Sequence, residues 1–288
     1  MVAITLSLVA LNLMGNTEMG RQVRVSSLTG DIRKIPHFTS KILGNQRNIS
    51  VYLPPNYNQD QNQRYPVLYA QDGQNVFDGA TSFIPNKEWR LDEAAEALIK
   101  TKLIPPIIIV AIDNAGSERA DEYLPTRFKL HNSPEMIGGR ADLYARMLLE
   151  ELKPTIDKMY RTKPDRDHTG LIGSSLGAIV TLYLGMTHPD SFSKLAVVSP
   201  SIWVDDRLML KKIISLKSKL DLRIWTDIGT LEGTEAVTDA QDFVKALENK
   251  GWRLGRDLVF YQDGFAAHNE EAWSRRVPAI LTFLFGHR

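Results

Sequence analysis

From about residue 48 onward, short apolar runs alternate with longer segments of helical periodicity, and few folds tolerate that alternation. "NISVYLP" and "YPVLYAQ" read as strands. "EWRLDEAAEALIK" follows as a helix with Leu91, Ala94, Ala95 and Leu98 on one face. "PPIIIVAI" lacks any polar alternation, as a strand covered on both sides must. "DLYARMLLEELKPTIDKMY" is helical with a kink expected at Pro154. Beyond it come "TGLIGSS" and a helix, "KLAVVS" and a helix near "DRLMLKKIISL", "LRIWTDI" and a helix around "TDAQDFVKALENKG", then "DLVFYQ" and a last helix ending near Phe285. Such a series predicts the α/β class: a mainly parallel central sheet with helices on both faces. The first two strands, joined only by "PNYNQDQNQRY", suit antiparallel neighbours.

A chain of 288 residues can organise one large domain without disulfides or a structural metal. Apolar residues at 43%, charged residues at 24% and a formal charge of +1 leave no electrostatic footprint for nucleic acid or a membrane surface. The absence of cysteine excludes disulfide frameworks, thiolate zinc sites and a cysteine nucleophile. Near the start, Val2, Ile4, Leu6 and Leu8 alternate with Ala3, Thr5 and Ser7, as in a strand. The same run also reads as a degenerate or truncated signal: it is apolar, too short to span a bilayer, and without a positive charge before Arg21. Both readings stand, so the compartment stays open between cytoplasm and export.

In "LIGSSLGAIVTLY" a strand runs into a helix, and only one serine there is flanked by glycine two residues before and two after: Ser175, in Gly173-Ser174-Ser175-Leu176-Gly177. That is the spacing of a nucleophile elbow, whose sharp turn excludes larger side chains. A serine hydroxyl needs a base, and ligands bind at the carboxyl ends of parallel strands. Of the six histidines, His37 precedes the sheet, His131 lies in a loop, and His168 is at the wrong end of the Ser175 strand. His188 is at the far end of the following helix and His287 is beside the terminus. Only His268 directly follows a strand and precedes a helix at the correct edge. The orienting acid is expected after the strand "LRIWTDI", where Asp227, Glu232 and Glu235 are candidates; spacing does not choose among them, although Glu232 and Glu235 also suit a helix start. Oxyanion donors are expected from the Leu176 N–H and, in the turn Asp72-Gly73-Gln74-Asn75, from the Gln74 N–H, with Gly73 permitting the turn.

"VYLPPNY", "RYPVLYAQDGQNVFD", "EWRLDE", "IIIVAIDN", "ERADEYLP", "LIGSSLGA", "VSPSIW", "DIGTLE" and "AAHNEEAW" occur in that order, over roughly residues 30 to 286. In this the chain resembles the putative esterase family of α/β-hydrolases, which is similar to enterochelin (siderophore), feruloyl and acetyl-xylan esterases, S-formylglutathione hydrolases and mycolyltransferase antigens. The resemblance implies an N-terminal extension over 1–30 and an α/β-hydrolase catalytic domain over 31–288. It implies Ser175 as nucleophile, His268 as general base and Gln74 with Leu176 as oxyanion hole. It favours Glu232 over Asp227 as the acid, because the family's acid follows a Gly-Thr pair, here Gly229-Thr230. Many relatives carry a second glycine after the elbow where this chain has Ala178. Some siderophore esterases work with a serine–histidine pair and little help from a carboxylate, an arrangement in which Glu232 would matter less.

The reaction so implied is ester hydrolysis through an acyl-enzyme, without metal or organic cofactor. The substrate is a small-molecule or carbohydrate-linked ester of siderophore, feruloyl, acetyl-sugar or short acyl type. Trp203, after "SPS", is a candidate for the substrate pocket. Arg119 is either a substrate contact or the ion-pair partner of Glu122 or Asp121, the latter preferred. Trp89 is expected to pack the start of its helix. Rival readings are an acyltransferase using the same site and a non-catalytic binding module, which would lack a triad member. Nothing in the chain fixes its oligomeric state.

Overall fold

The computed structural model describes residues 23–129 and 135–286. The expected N-terminal strand or signal, His131 and His287 lie outside the described residues.

Eight strands form one sheet in the order β1-β2-β4-β3-β7-β8-β9-β10. They are β1 (Asp31–Ser40), β2 (Asn45–Leu53), β3 (Val67–Gln71), β4 (Ile108–Ile112), β7 (Thr169–Ser175), β8 (Lys194–Pro200), β9 (Arg223–Gly229) and β10 (Leu258–Asp263). β1 pairs antiparallel with β2 and β2 with β4, and every other pairing is parallel. The expectation that "NISVYLP" and "YPVLYAQ" are neighbours is therefore corrected: β4 lies between β2 and β3. β4 is wholly apolar and buried along its length, so it needs a strand on each side, and β2 and β3 supply them. β1 carries charged and half-exposed residues, so apolar periodicity does not announce it. It forms the edge of the sheet and contains His37, which lies in the sheet rather than ahead of it.

Alternation along each strand divides the core in two. In β3, Val67 and Tyr69 join one cluster while Leu68 and Ala70 join the other. Helices α1 (Leu91–Lys100) and α8 (Glu270–Phe285) cover the second face, where Leu91, Ala95 and Leu98 meet Val277, Ile280 and Leu281. The first face takes α3 (Ala141–Arg146), α4 (Lys153–Met159), α5 (Leu176–Thr187), α6 (Val204–Ser215) and α7 (Thr234–Asn249). Between α3 and α4, Met147–Leu152 forms a π-helical stretch just ahead of Pro154. A proline cannot donate its backbone N–H and crowds the preceding turn, so the expected kink appears as a widened turn. A short helix α2 (Arg119–Tyr123) and a ribbon of β5 (Arg127–Lys129) and β6 (Met136–Gly138) lie between β4 and α3.

The ion pair between Arg47 on β2 and Glu122 on α2, at 2.9 Å, is completely inaccessible to solvent on both sides. Glu122 also accepts from the Asn45 amide at 2.7 Å. Removing one charge from such a pair strands the other in a medium that solvates it poorly. Glu122→Gln is expected to cost roughly 3–5 kcal/mol, read as a lower urea midpoint with an unchanged slope.

Candidate active site

Ser175 ends β7 with φ 56° and ψ −121°, a conformation foreign to L-residues, and α5 begins at the next residue. Strain of this kind costs on the order of 1–3 kcal/mol and must be held by its surroundings. Two glycines allow it: a Cβ on Gly173 would lie 2.3 Å from the Gly177 carbonyl oxygen, and one on Gly177 would lie 2.9 Å from Asp72 Oδ2. The elbow therefore closes only with small residues at both positions. Ala178, next in line, is fully buried within α5.

At the carboxyl ends of β9 and β10 the structure brings Glu232 and His268 together. Glu232 sits on the short turn Thr230–Glu232, and its Oε2 is 2.7 Å from His268 Nδ1. Its other oxygen accepts from Ser199 Oγ and from the Gly229 N–H, each at 2.7 Å. Burial pushes the Glu232 carboxyl up, but His268, Ser199 and the Gly229 N–H together outweigh it and hold the group below its ordinary range. His268 remains 41% exposed in its side chain and meets the Trp273 ring edge-on at 5.0 Å. With Nδ1 on Glu232, its Nε2 is the nitrogen left for another partner.

The other acids are placed differently. Asp227 is fully buried inside β9 and accepts from Arg276 Nη1 at 2.6 Å, Trp225 Nε1 at 2.7 Å and the Ser199 N–H at 3.0 Å. Burial raises its pKa, with Arg276 opposing. It braces the neighbouring strand and does not meet His268. Glu235 is exposed in the first turn of α7, as suits an acid at a helix start.

Ser175 and His268 share the same sheet edge without a hydrogen bond between them. Among the described residues the Ser175 hydroxyl is partnered by Ser201 Oγ at 3.2 Å. Ser201 follows β8 inside "VSPSIW", and nothing in that segment announces a contact with an elbow 26 residues earlier. Ser199, in the same segment, joins both acids and receives Trp273 Nε1 and Arg276 Nη1 at 3.0 Å each. Its importance is invisible to spacing, because the groups converging on it lie up to 77 residues away.

The turn after β3 follows the expected place but not the expected reason. The left-handed residue is Asp72, with φ 54°, whereas Gly73 is needed for close approach: a Cβ there would stand 2.6 Å from the backbone of Ala111 and Ile112. Gln74 follows on the short turn Gly73–Asn75, and Asn75 reaches across to Glu270 at 3.2 Å. Asp72 is held in turn by Arg119, through Nε at 2.6 Å and Nη2 at 2.8 Å, and by Asn114 Nδ2 at 2.7 Å. This corrects the expectation for Arg119. Its partner is Asp72, while Glu122 is taken by Arg47 and Asp121 accepts from the Gly138 N–H. One edge of the guanidinium holds both oxygens of the Asp72 carboxylate, which braces the turn.

Trp203 is 40% exposed and follows Ser201, the partner of Ser175, by two residues in the chain. Trp89 is buried and packs on Trp273 at 5.6 Å between centroids, as expected of a residue at a helix start. Beside Gln74 lies a cavity of about 320 Å³ bounded by Lys34, Asn48, Ser50, Asp78 and Asp113. Burial lifts the Asp113 carboxyl to about 6.

Residues 40–284 match the family model described as "Putative esterase". The chain is 25% identical to YbbA of Bacillus subtilis over 84% of its own length and 94% of that protein. It is 30% identical to the ferri-bacillibactin esterase BesA of the same organism, over 54% of this chain and 55% of that one. The solved BES protein from Bacillus cereus superposes with a TM-score of 0.72 at 21% identity, covering 90% of this chain and 98% of that chain, which establishes the shared α/β-hydrolase fold.

Because Glu232 is held below its ordinary value of roughly 4.3, its ionised form stabilises the native state above that value, and the stabilisation fades as pH falls through the lower native value. Glu232→Gln should therefore be less stable than the parent at neutral pH. The gap in denaturation midpoint should close in acid.

Proposed function

The chain belongs to this esterase family and is a carboxylic-ester hydrolase, and from that premise we propose a serine mechanism carried by Ser175, His268 and Glu232. The observation that carries the proposal is the 2.7 Å contact between Glu232 and His268 Nδ1 at the sheet edge where the strained elbow presents Ser175. A carboxylate at Nδ1 fixes the tautomer that leaves Nε2 free to take a proton, and it stabilises the imidazolium that results.

In the reaction so proposed, substrate displaces the Ser175–Ser201 contact. Ser175 Oγ bonds to the ester carbonyl carbon as its proton passes to His268 Nε2. The negative oxygen is met by the N–H groups of Leu176 and Gln74. Collapse breaks the bond to the alcohol, which departs with the proton from His268. Water then repeats the sequence on the acyl-enzyme and releases the acid. No step requires a metal or an organic cofactor. Asp72, Arg119 and Gly73 serve by fixing the turn that carries Gln74.

The ester is proposed to be one with a polar, hydroxylated portion. The cavity beside Gln74 sets Lys34, Asp78, Asp113, Asn48 and Ser50 next to apolar walls from Pro36 and Phe77, a lining that suits a portion with an apolar body carrying polar substituents. Siderophore and feruloyl or acetyl-sugar esters both meet that description. The resemblance of part of the chain to a ferri-bacillibactin esterase favours the former. Trp203, exposed and two residues beyond Ser201, is assigned to contact with the bound ester.

Ser175→Ala and His268→Ala are expected to lower kcat on p-nitrophenyl acetate by at least about 10⁴-fold. Glu232→Gln should lower it by roughly 10²–10⁴-fold, whereas Asp227→Asn should chiefly lower stability by leaving Arg276 underpaired. Equal activity of Ser175→Ala and parent would sink the assignment, and a larger kcat loss in Asp227→Asn than in Glu232→Gln would reverse the choice of acid. Ranking kcat/KM over a trilactone siderophore, methyl ferulate, acetylated xylan and a short alkyl ester tests the substrate reading. An alkyl ester at the top would refute it. Product analysis with an added alcohol distinguishes hydrolysis from acyl transfer through the same intermediate.

A further inference from the structure

Glu270 is the first residue of α8, two places beyond His268, and it is only 6% exposed. An acid in the first turn of a helix suits the dipole there, and the Glu270 carboxylate does lie against its own backbone N–H. That explains the residue type and leaves the burial unexplained, because a dipole is served as well from the solvent side. The next residue shows the contrast: the Glu271 side chain stands 59% exposed at the same helix end, paired with Lys87 at 2.7 Å.

By turning inward Glu270 reaches Asn75, whose Nδ2 donates to its Oε1 at 3.2 Å across 195 residues of chain. Asn75 directly follows Gln74, and its other polar groups are engaged. Its N–H donates to the Asp72 carbonyl at 2.9 Å, its carbonyl accepts from the Trp89 N–H at 2.9 Å, and its Oδ1 accepts from the Phe83 N–H at 2.8 Å. With the amide pinned at its oxygen, the nitrogen is left aimed at Glu270. Burial raises the Glu270 pKa and the Asp72 carboxylate adds to the rise, while its own N–H, His268 and Arg119 oppose it. The carboxylate thus stands within electrostatic reach of both the braced turn after β3 and the imidazole.

We propose that Glu270 is a positioning residue for the hydrolysis: through Asn75 it fixes the turn that carries the Gln74 N–H against the segment that carries His268. This role presupposes the serine mechanism, in which the N–H meets the ester oxygen while the imidazole takes the proton of the attacking hydroxyl. The two groups follow β3 and β10, and three strands, β7, β8 and β9, lie between those in the sheet. Sheet pairing alone therefore leaves their separation loosely set. Trp89 and Trp273 join the same two segments by ring packing, which tolerates sliding. The Asn75–Glu270 bond is directional and does not. Misplacement by about 1 Å can cost on the order of 10²-fold in rate, so a bond that sets this distance acts on the reaction without touching the ester.

The test measures kcat and KM for p-nitrophenyl acetate on the full chain, well below its melting temperature. Glu270→Ala is expected to lower kcat roughly tenfold with KM held within about twofold. Glu270→Gln keeps an acceptor for Asn75 and should stay within about threefold of the parent. Asn75→Asp sets two carboxylates against each other and should lose at least about tenfold; adding Glu270→Gln reverses donor and acceptor and should restore kcat to within about threefold. Glu271→Gln, which breaks only the exposed pair with Lys87, should leave kcat unchanged. A merely structural role predicts lower melting temperatures with kcat kept, and that result overturns the link. So does a Glu270→Gln defect as deep as that of Glu270→Ala, or an Asn75→Asp defect that Glu270→Gln does not relieve. A fluorophosphonate probe separates these failures from failure of the premise. Absence of label on Ser175 in the parent refutes the serine mechanism and the link with it, whereas label on Ser175 together with parental kcat in Glu270→Ala refutes the link alone.

Discussion

The Asp72 carboxylate joins four separate pieces of chain at the carboxyl edge of the sheet. It belongs to the end of β3, receives Asn114 from beyond β4 and Arg119 from α2, and stands against the position where a side chain on Gly177 would start. Its own backbone is left-handed, a conformation that aspartate tolerates at some cost. Two charge-assisted contacts from one guanidinium offset that cost and remove the freedom of the turn. The elbow and the turn after β3 are thereby held against each other. Strand order puts β3 and β7 side by side, but the carboxylate sets the spacing of what emerges from them.

A second set of charges does the same on the other side of Ser175. Arg276, almost completely buried, binds Asp227, Asp263 and Ser199, and Ser199 passes a hydrogen bond to Glu232. Burying this many ionisable groups is costly unless each lone pair and each N–H finds a partner. Nearly all do, and the result is a Glu232 carboxylate with both oxygens fixed. Asp227 and Glu232, which look interchangeable along the chain, have divided the work: one neutralises Arg276 and the other faces His268.

The sheet and its helices were readable because their cause is local. Runs such as "PPIIIVAI" and "TGLIGSS" show by composition that they are buried on both sides. Ser175, Gly173 and Gly177 were readable because the elbow is a steric rule within five residues. What could not be read depends on contacts across the chain. β1 has too little apolar periodicity to announce itself, and the neighbour of β2 is decided by the burial needs of β4. Arg119 sits within three residues of Asp121 and Glu122, yet bonds 47 residues away. Ser199 and Ser201 were visible as letters, but their partners come from β7, the turn after β9 and α8.

Trp273 packs at a tilt against Trp89, meets the His268 ring in a T-shaped contact and donates its indole N–H to the hydroxyl that supports Glu232. An indole so enclosed is a resident fluorophore in ring contact with His268 and linked through Ser199 to Glu232. Its emission is sensitive to charge and to hydrogen bonding in direct contact with the ring. The site therefore carries its own optical label, and events at His268 could be followed in the unmodified protein, with no chromogenic substrate or attached dye.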